Sequence, residues 1–312
     1  MRAADAVCSG RELLEEANHF NDAAISLRNV AKRFHRNGVA VGCFVAFESF
    51  IGERTSEIAR ALTAAALPKG MYPDSLVRES KAFSPLLLAD MLGKPHLASQ
   101  IDETIEELAA AWSSAPQAWT VPRSVMKWRG SNISADHLTR VPSLFGVPRD
   151  WSDLTGIVTA LGIAQPLPTE QVFKSIANVR HLSAHDSSYS AEIMELRGAP
   201  RLLTSLGFAF DALVSASASC IAKSQRIPKG SGRGAIDLTR LVWRRGRGGT
   251  DQWGEYRGAH DPRAAPKKAV KIWDGDCLAQ VAASRTGARD VVVAIRPASD
   301  GAMTLDDWRM PI

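Results

Sequence analysis

Apolar residues recur at three- and four-residue steps through the first two-thirds of this 312-residue chain. That is the period of helices that each bury one face. The pattern predicts a helix over "RELLEEANHFNDAAISLRNVAKRF", a turn at "HRNG", and a second long helix over "VAVGCFVAFESFIGERTSEIARALTAAAL" that Pro68 and Pro73 end. Glu48 sits in the otherwise apolar first half of that second helix. Further helices are expected over "DSLVRESKAFSPLLLADMLG", broken at Pro85, over "SQIDETIEELAAAW", in "SADHLTRVPSLFGV" from Ser134, and over "DWSDLTGIVTALG". The turn-forming segment "SSAPQAWTVPRSVMKWRGSN" reads as a long connection. Thr169 is the expected N-cap of "EQVFKSIANVRHLSAH", and Ser190 of "AEIMELRG". "RLLTSLGFAFDALVSASASCIAK" is the last long helix, and no fixed-period repeat suggests a solenoid.

At "RIPKGSGRGA" the character changes. Gly and Pro crowd in, and "IDLTRLVWR", "AVKIWDGDC" and "DVVVAIRPA" are short and rich in β-formers. The fold class expected is therefore mainly α, with a helical domain over residues 1–225. Residues 226–312 are expected to form a basic glycine-rich linker and a small β-rich module. "GSGRGA" has neither the spacing nor the strand-to-helix setting of a dinucleotide fingerprint. The C-terminal "TLDDWRMPI" has the acidic and apolar character to fold back on a basic surface.

The hydrophobic and charged fractions, 45% and 23%, are those of a globular protein. No apolar run approaches the ~20 residues that cross a bilayer. "MRAADAVCSGRELLEE" lacks the layout of a secretory signal, so a cytoplasmic protein without a membrane partner is expected. Cys8, Cys43, Cys220 and Cys277 are scattered and read as small buried hydrophobes. The net charge of +5 is unevenly placed. Between Lys223 and Lys271 stand Arg226, Lys229, Arg233, Arg240, Arg244, Arg245 and Arg247 among other bases, against Asp237, Asp251, Glu255 and Asp261. Such an excess attracts polyanions, RNA among them, unless it is simply a solvated linker. Arg244, Arg245 and Arg247 are the candidate RNA-binding residues.

Residues 178–186, "NVRHLSAHD", concentrate Arg180, His181, His185 and Asp186 near the end of a helix. Three readings stand. His181 and His185, four apart, share a helix face and could chelate an ion, although Leu182 occupies the place where a zinc-hydrolase helix carries Glu. The cluster could equally be a positively charged helix end that complements the last carbonyls. Or Arg180 and His185 form a catalytic pair. Five residues apart is about 140° around a helix, so one chain presents them poorly to a single atom. A two-fold axis would bring two copies of the motif into one cleft. A neutral imidazole can then take the 2′-OH proton of RNA, a second imidazolium can protonate the leaving 5′-oxygen, and Arg can clamp the phosphate oxygens.

"RHLSAHD", late in a helical domain and followed by another long helix, resembles the Arg-x4-6-His signature of the HEPN superfamily. His181 takes the place of the polar residue that often follows the Arg. "VGCFVAFESFIGE" looks like the early helix of the RiboL-PSP-HEPN branch, and "SNISADHLTRVPSLFGV" resembles its middle segment. Together these pieces cover about residues 10–222. The resemblance implies a HEPN-like helical bundle that dimerises through the motif helices. For active members it implies a metal-independent endoribonuclease that needs no cofactor and leaves a 2′,3′-cyclic phosphate. It makes Arg180 and His185 the catalytic pair and His181 the assisting residue. Glu48 becomes the candidate acidic partner of Arg180, if it is not a solvent-facing glutamate. Asp186 stands where many relatives have Gly. Relatives act as toxins or antiviral defence effectors, alongside an antitoxin or a trigger-sensing protein. Others are non-catalytic modules that bind RNA or a partner within such complexes.

Overall fold

The computed structural model describes residues 23–93, 98–112, 118–129, 132–160 and 167–222, and five segments beyond them: 241–246, 252–257, 271–274, 291–297 and 303–309. The described protein is mainly helical. Its helices are α1 (Ala23–Ala64), α2 (Asp74–Leu92), α3 (Ala98–Trp112), α4 (Ala135–Ser143), α5 (Ser152–Ala160), α6 (Thr169–His185) and α7 (Ile193–Ala222). The five C-terminal segments are extended: β1 (Leu241–Gly246), β2 (Gln252–Arg257), β3 (Lys271–Asp274), β4 (Val291–Pro297) and β5 (Met303–Arg309). Two compact units are distinguished, Met1–Phe50 with Gln165–Gly207, and Ile51–Ala164 with Phe208–Ile312.

In the first unit, α6 packs on the N-terminal part of α1. The Phe173 ring lies 5.8 Å from Phe44 and 6.0 Å from Phe47, centroid to centroid. Further along, Val179 joins Val39, Ala40, Ala191 and Leu196 in a buried cluster, with Cys43 and Tyr189 packed against it. Residue numbers fall along α6 as they rise along α1, so the two helices run antiparallel. The Phe50 ring approaches α7 at Gly207, where an added Cβ would meet it at 3.2 Å.

The expected turn at "HRNG" is not formed, and α1 runs through it. Gly38 costs a helix interior about 1 kcal/mol relative to Ala. Offsetting this, Val39, Ala40, Phe44 and Phe47 are buried in the following turns, and Asn37 directs its amide to distant backbone rather than to its own. Pro85 likewise does not break α2, and Pro200 lies inside α7. In each case large apolar residues beyond the proline are buried: Leu87 and Met91 in α2, Leu202, Leu203 and Leu206 in α7. Their burial outweighs the missing backbone hydrogen bond.

Helix starts were only partly legible. α4 begins at Ala135, one residue after the expected start, and Ser134 caps it by accepting from His137 N at 3.2 Å. At α6 the capping position is Pro168, whose carbonyl accepts from Gln171 and Val172, while Thr169 is a buried helical residue. At α7, Glu195 rather than Ser190 serves the terminus, its carboxylate accepting from Glu192 N at 3.0 Å. This is the backward half of a capping box. By length and composition, α7 could also cross a membrane, because the apolar run continues on both sides of Pro200. However, 83% of its apolar window is buried in the protein, as in a core helix.

The second unit is centred on large side chains that are fully enclosed, among them Ile51, Ile58, Leu62, Leu138, Phe145 and Phe208. The "long connection" carries buried Trp119, Val121, Val125 and Met126, part of it wound as a 3-10 turn at Arg123–Met126. Asp211 is a buried hub. Its Oδ1 accepts from Arg54 Nε at 2.6 Å and from the Ser215 hydroxyl, and its Oδ2 accepts from Trp308 Nε1 at 2.8 Å. In the C-terminal "TLDDWRMPI", the Trp308 indole thus meets a carboxylate, and it also packs edge-on against Phe208. Cys43 and Cys220 are half-buried; Cys8 and Cys277 lie outside the described residues.

His137 is buried beside Arg140, whose guanidinium donates to the Val125 and Lys127 carbonyls and stacks on Phe83 at 3.9 Å. Arg140 Nη2 lies 3.4 Å from His137 Nδ1, which therefore accepts, so the ring proton sits on Nε2. Burial first, and the Arg140 charge second, push the imidazole down to about 3. The unfolded chain takes up this proton below about pH 6.5 and the folded one only near 3, so stability falls with pH across that window. The expected slope from this group approaches ~1.4 kcal/mol per pH unit. Urea unfolding of the wild type and His137→Phe between about pH 7 and pH 5 checks it; identical pH dependence in the two would refute a buried neutral His137.

Candidate functional site

The geometry of the motif follows from the rotation of α6. Thr169 and Phe173 face inward, and Arg180 falls within about 20° of Thr169 around the helix. Arg180 is accordingly half-buried, and its Nε is shielded without a hydrogen-bond partner. His181 and His185 lie on the outward side and are exposed. Their rings approach to 4.8 Å between centroids with a 50° tilt. One turn of helix thus presents two imidazoles side by side to solvent, a proton acceptor next to a proton donor when one of them is charged. Arg180 does not stand beside His185 within the chain.

Asp186 ends the helix, its N–H donating to Leu182 O at 2.8 Å. Its carboxylate is taken up locally, accepting from the Ser188 hydroxyl at 2.6 Å and the Ser188 N–H at 2.8 Å. These bonds, the hydroxyl's foremost and the Arg33 charge the smallest contributor, hold the Asp186 carboxyl below its usual range. The loop that follows is fastened to α1. Asn37 Nδ2 donates to Tyr189 O at 2.9 Å, and Ala191 N donates to Asn37 Oδ1 at 3.0 Å. Asn37 is buried. Sequence reasoning assigned its neighbourhood to a turn and missed it as the residue that positions the end of the motif helix. Its only sequence signal was an amide next to Gly38 within an otherwise helical pattern.

Glu48 is buried at 8% exposure, so the solvent-facing alternative is excluded. It lies beyond Phe47 on α1, which the antiparallel packing sets toward the N-terminal end of α6, whereas Arg180 is near the C-terminal end. Of the proposed RNA-binding residues, Arg244 and Arg245 have their backbone in β1, and Arg247 lies outside the described residues. Among the described residues, no group of three or more His, Cys, Asp or Glu is placed to hold a metal ion. In comparisons with known proteins, no family model, no curated protein and no solved structure matches the chain.

Replacing Asn37 by Ala would leave a buried carbonyl and a buried N–H unpaired, at a cost of about 1–3 kcal/mol each. Asn37→Ala is expected to lower the denaturant midpoint well beyond His185→Ala, which alters an exposed side chain and should stay within about 0.5 kcal/mol of wild type. Equal midpoints for the two variants would show that the loop does not depend on Asn37.

Proposed function

We propose that this protein is a metal-independent endoribonuclease of the toxin or anti-phage defence type, built on a HEPN-like helical bundle and active as a homodimer through its α6 helices. The exposed, adjacent His181–His185 pair carries this reading. A neutral imidazole, His185, takes the proton from a ribose 2′-OH. The 2′-oxygen attacks the neighbouring phosphorus, and the bond to the 5′-oxygen breaks as an imidazolium protonates that oxygen. The products are a 2′,3′-cyclic phosphate and a 5′-hydroxyl. His181 assists, and Arg180 stabilises the charge that builds on the phosphate oxygens. A two-fold axis answers the angular problem within one chain, because the Arg180 of the second copy can face the His185 of the first. Glu48, buried on α1, is an acidic residue of the same unit, though not one set next to the motif.

Residues 226–312 are proposed as a basic linker and β-rich module that bring RNA to the bundle, with Arg244, Arg245 and Arg247 contacting phosphates. In that reading the five extended segments align in the order β3-β2-β1-β4-β5. β1 is antiparallel to β2, with Arg244 opposite Glu255, and parallel to β4. The protein is proposed to act in the cytoplasm, with an antitoxin or trigger-sensing partner controlling it. A second reading is a non-catalytic HEPN-like module that binds RNA or a partner. The angular separation of Arg180 from His185 and the half-burial of Arg180 favour it.

The deciding experiment is cleavage of total bacterial RNA with chelator present, comparing the intact protein with His185→Ala. Fragments ending in 2′,3′-cyclic phosphate, lost in the variant by at least about 100-fold, are expected for a general base. RNA binding without cleavage by either protein would establish the binding module instead.

A further inference from the structure

Among the side-chain atoms of the first unit that are shielded from water without a hydrogen-bond partner are Arg36 Nε, Arg180 Nε and the Ser183 hydroxyl. Local geometry brings them to one end of the α1–α6 pair. Arg36 stands one turn before Ala40, on the stripe of α1 that packs toward α6. Its neighbour Asn37 is bonded to the loop leaving α6. Arg180 follows buried Val179, and Ser183 lies one turn beyond that valine on the same face. Arg33, a further turn back along α1, adds its charge at this end, where it acts on Asp186.

Neither Arg36 nor Arg180 takes part in an ion pair among the described residues. Asp186, at the end of α6, accepts from Ser188 on its Oδ1. A buried polar group is ordinarily paired, and a guanidinium left without acceptors is stabilised by any ligand that brings them. Donors alone, two of them cationic, call for an oxyanion with several acceptor oxygens. Resting on the ribonuclease reading above, we propose that Arg36, Arg180 and Ser183 form a phosphate-binding site for the RNA backbone on the α1-facing side of the motif helix. Arg36 and Ser183 thereby join the site as binding residues. Arg36 would anchor the strand electrostatically, and Ser183 would add a neutral hydrogen bond.

The test is the binding of a fluorescent 2′-O-methyl oligoribonucleotide to the full-length protein across a salt series. This probe lacks the 2′-OH and cannot be cut, so the result is independent of catalysis. Arg36→Gln is expected to weaken binding about tenfold and to reduce the slope of log K against log salt by about 0.7, one phosphate contact to a single strand. Arg36→Lys should keep the slope, and Ser183→Ala should weaken binding by a few-fold with the slope intact. These two milder variants decide the matter if Arg36→Gln unfolds. Unchanged affinity and slope in folded Arg36→Gln would overturn the site, without bearing on whether His185→Ala abolishes cleavage. If inorganic phosphate binds the wild type but not Arg36→Gln in calorimetry, while the oligonucleotide binds both alike, the site takes free phosphate and the RNA assignment fails.

Discussion

Phe173 lies against both Phe44 and Phe47, and this three-ring contact fixes α6 against α1 in both register and rotation. Each aromatic pair contributes about 0.5–1.5 kcal/mol beyond its area of burial. More important is what the contact forbids. With Phe173 turned inward, each later residue of α6 has its direction set by the 100° step, and the end of the helix cannot rotate independently. Arg180 is carried into the α1 side and the two histidines are carried out to solvent. The polar residues of "NVRHLSAHD" are therefore divided by the apolar residues ahead of them, half a helix away.

That division was legible in the sequence, because it needs only the helical period and the position of Phe173. So were the helical character of the long apolar segments and the helix start at Ser134, each of which is a local signal. What was not legible was local chemistry overruled from a distance. "HRNG" reads as a turn to any rule that looks a few residues each way, yet Asn37 finds its partners 152 and 154 positions along the chain. Pro85 and Pro200 are helix breakers in isolation and are tolerated where the next turns are buried. The burial of Glu48 could have been inferred, since Phe44, Phe47 and Ile51 bracket it on one helix face. The orphan donors on Arg36 and Ser183 could not, because an unmet hydrogen bond is a property of the assembled unit.

In the second unit one buried polar group is fully engaged. Asp211 is nearly inaccessible, but both of its oxygens are engaged, by Arg54 and Ser215 on one and by Trp308 on the other. Arg54 in turn reaches Glu57 and Ser215. A buried carboxylate is tolerated when every lone pair is spoken for, and the geometry then admits few alternatives.

The bonds of Asn37 also set an order of events. Its acceptor, the Tyr189 carbonyl, and its donor, the Ala191 N–H, do not exist until most of the helical region has been synthesised. Until then the Asn-Gly step has only its intrinsic preference, which is to turn. The middle of α1 is thus locally frustrated in the nascent chain and becomes continuous only when a segment more than 150 residues later closes on it. Closing so long a loop is slow compared with forming a helix turn. The same side chain that positions the end of α6 in the finished protein ties its assembly to a contact supplied late in the chain.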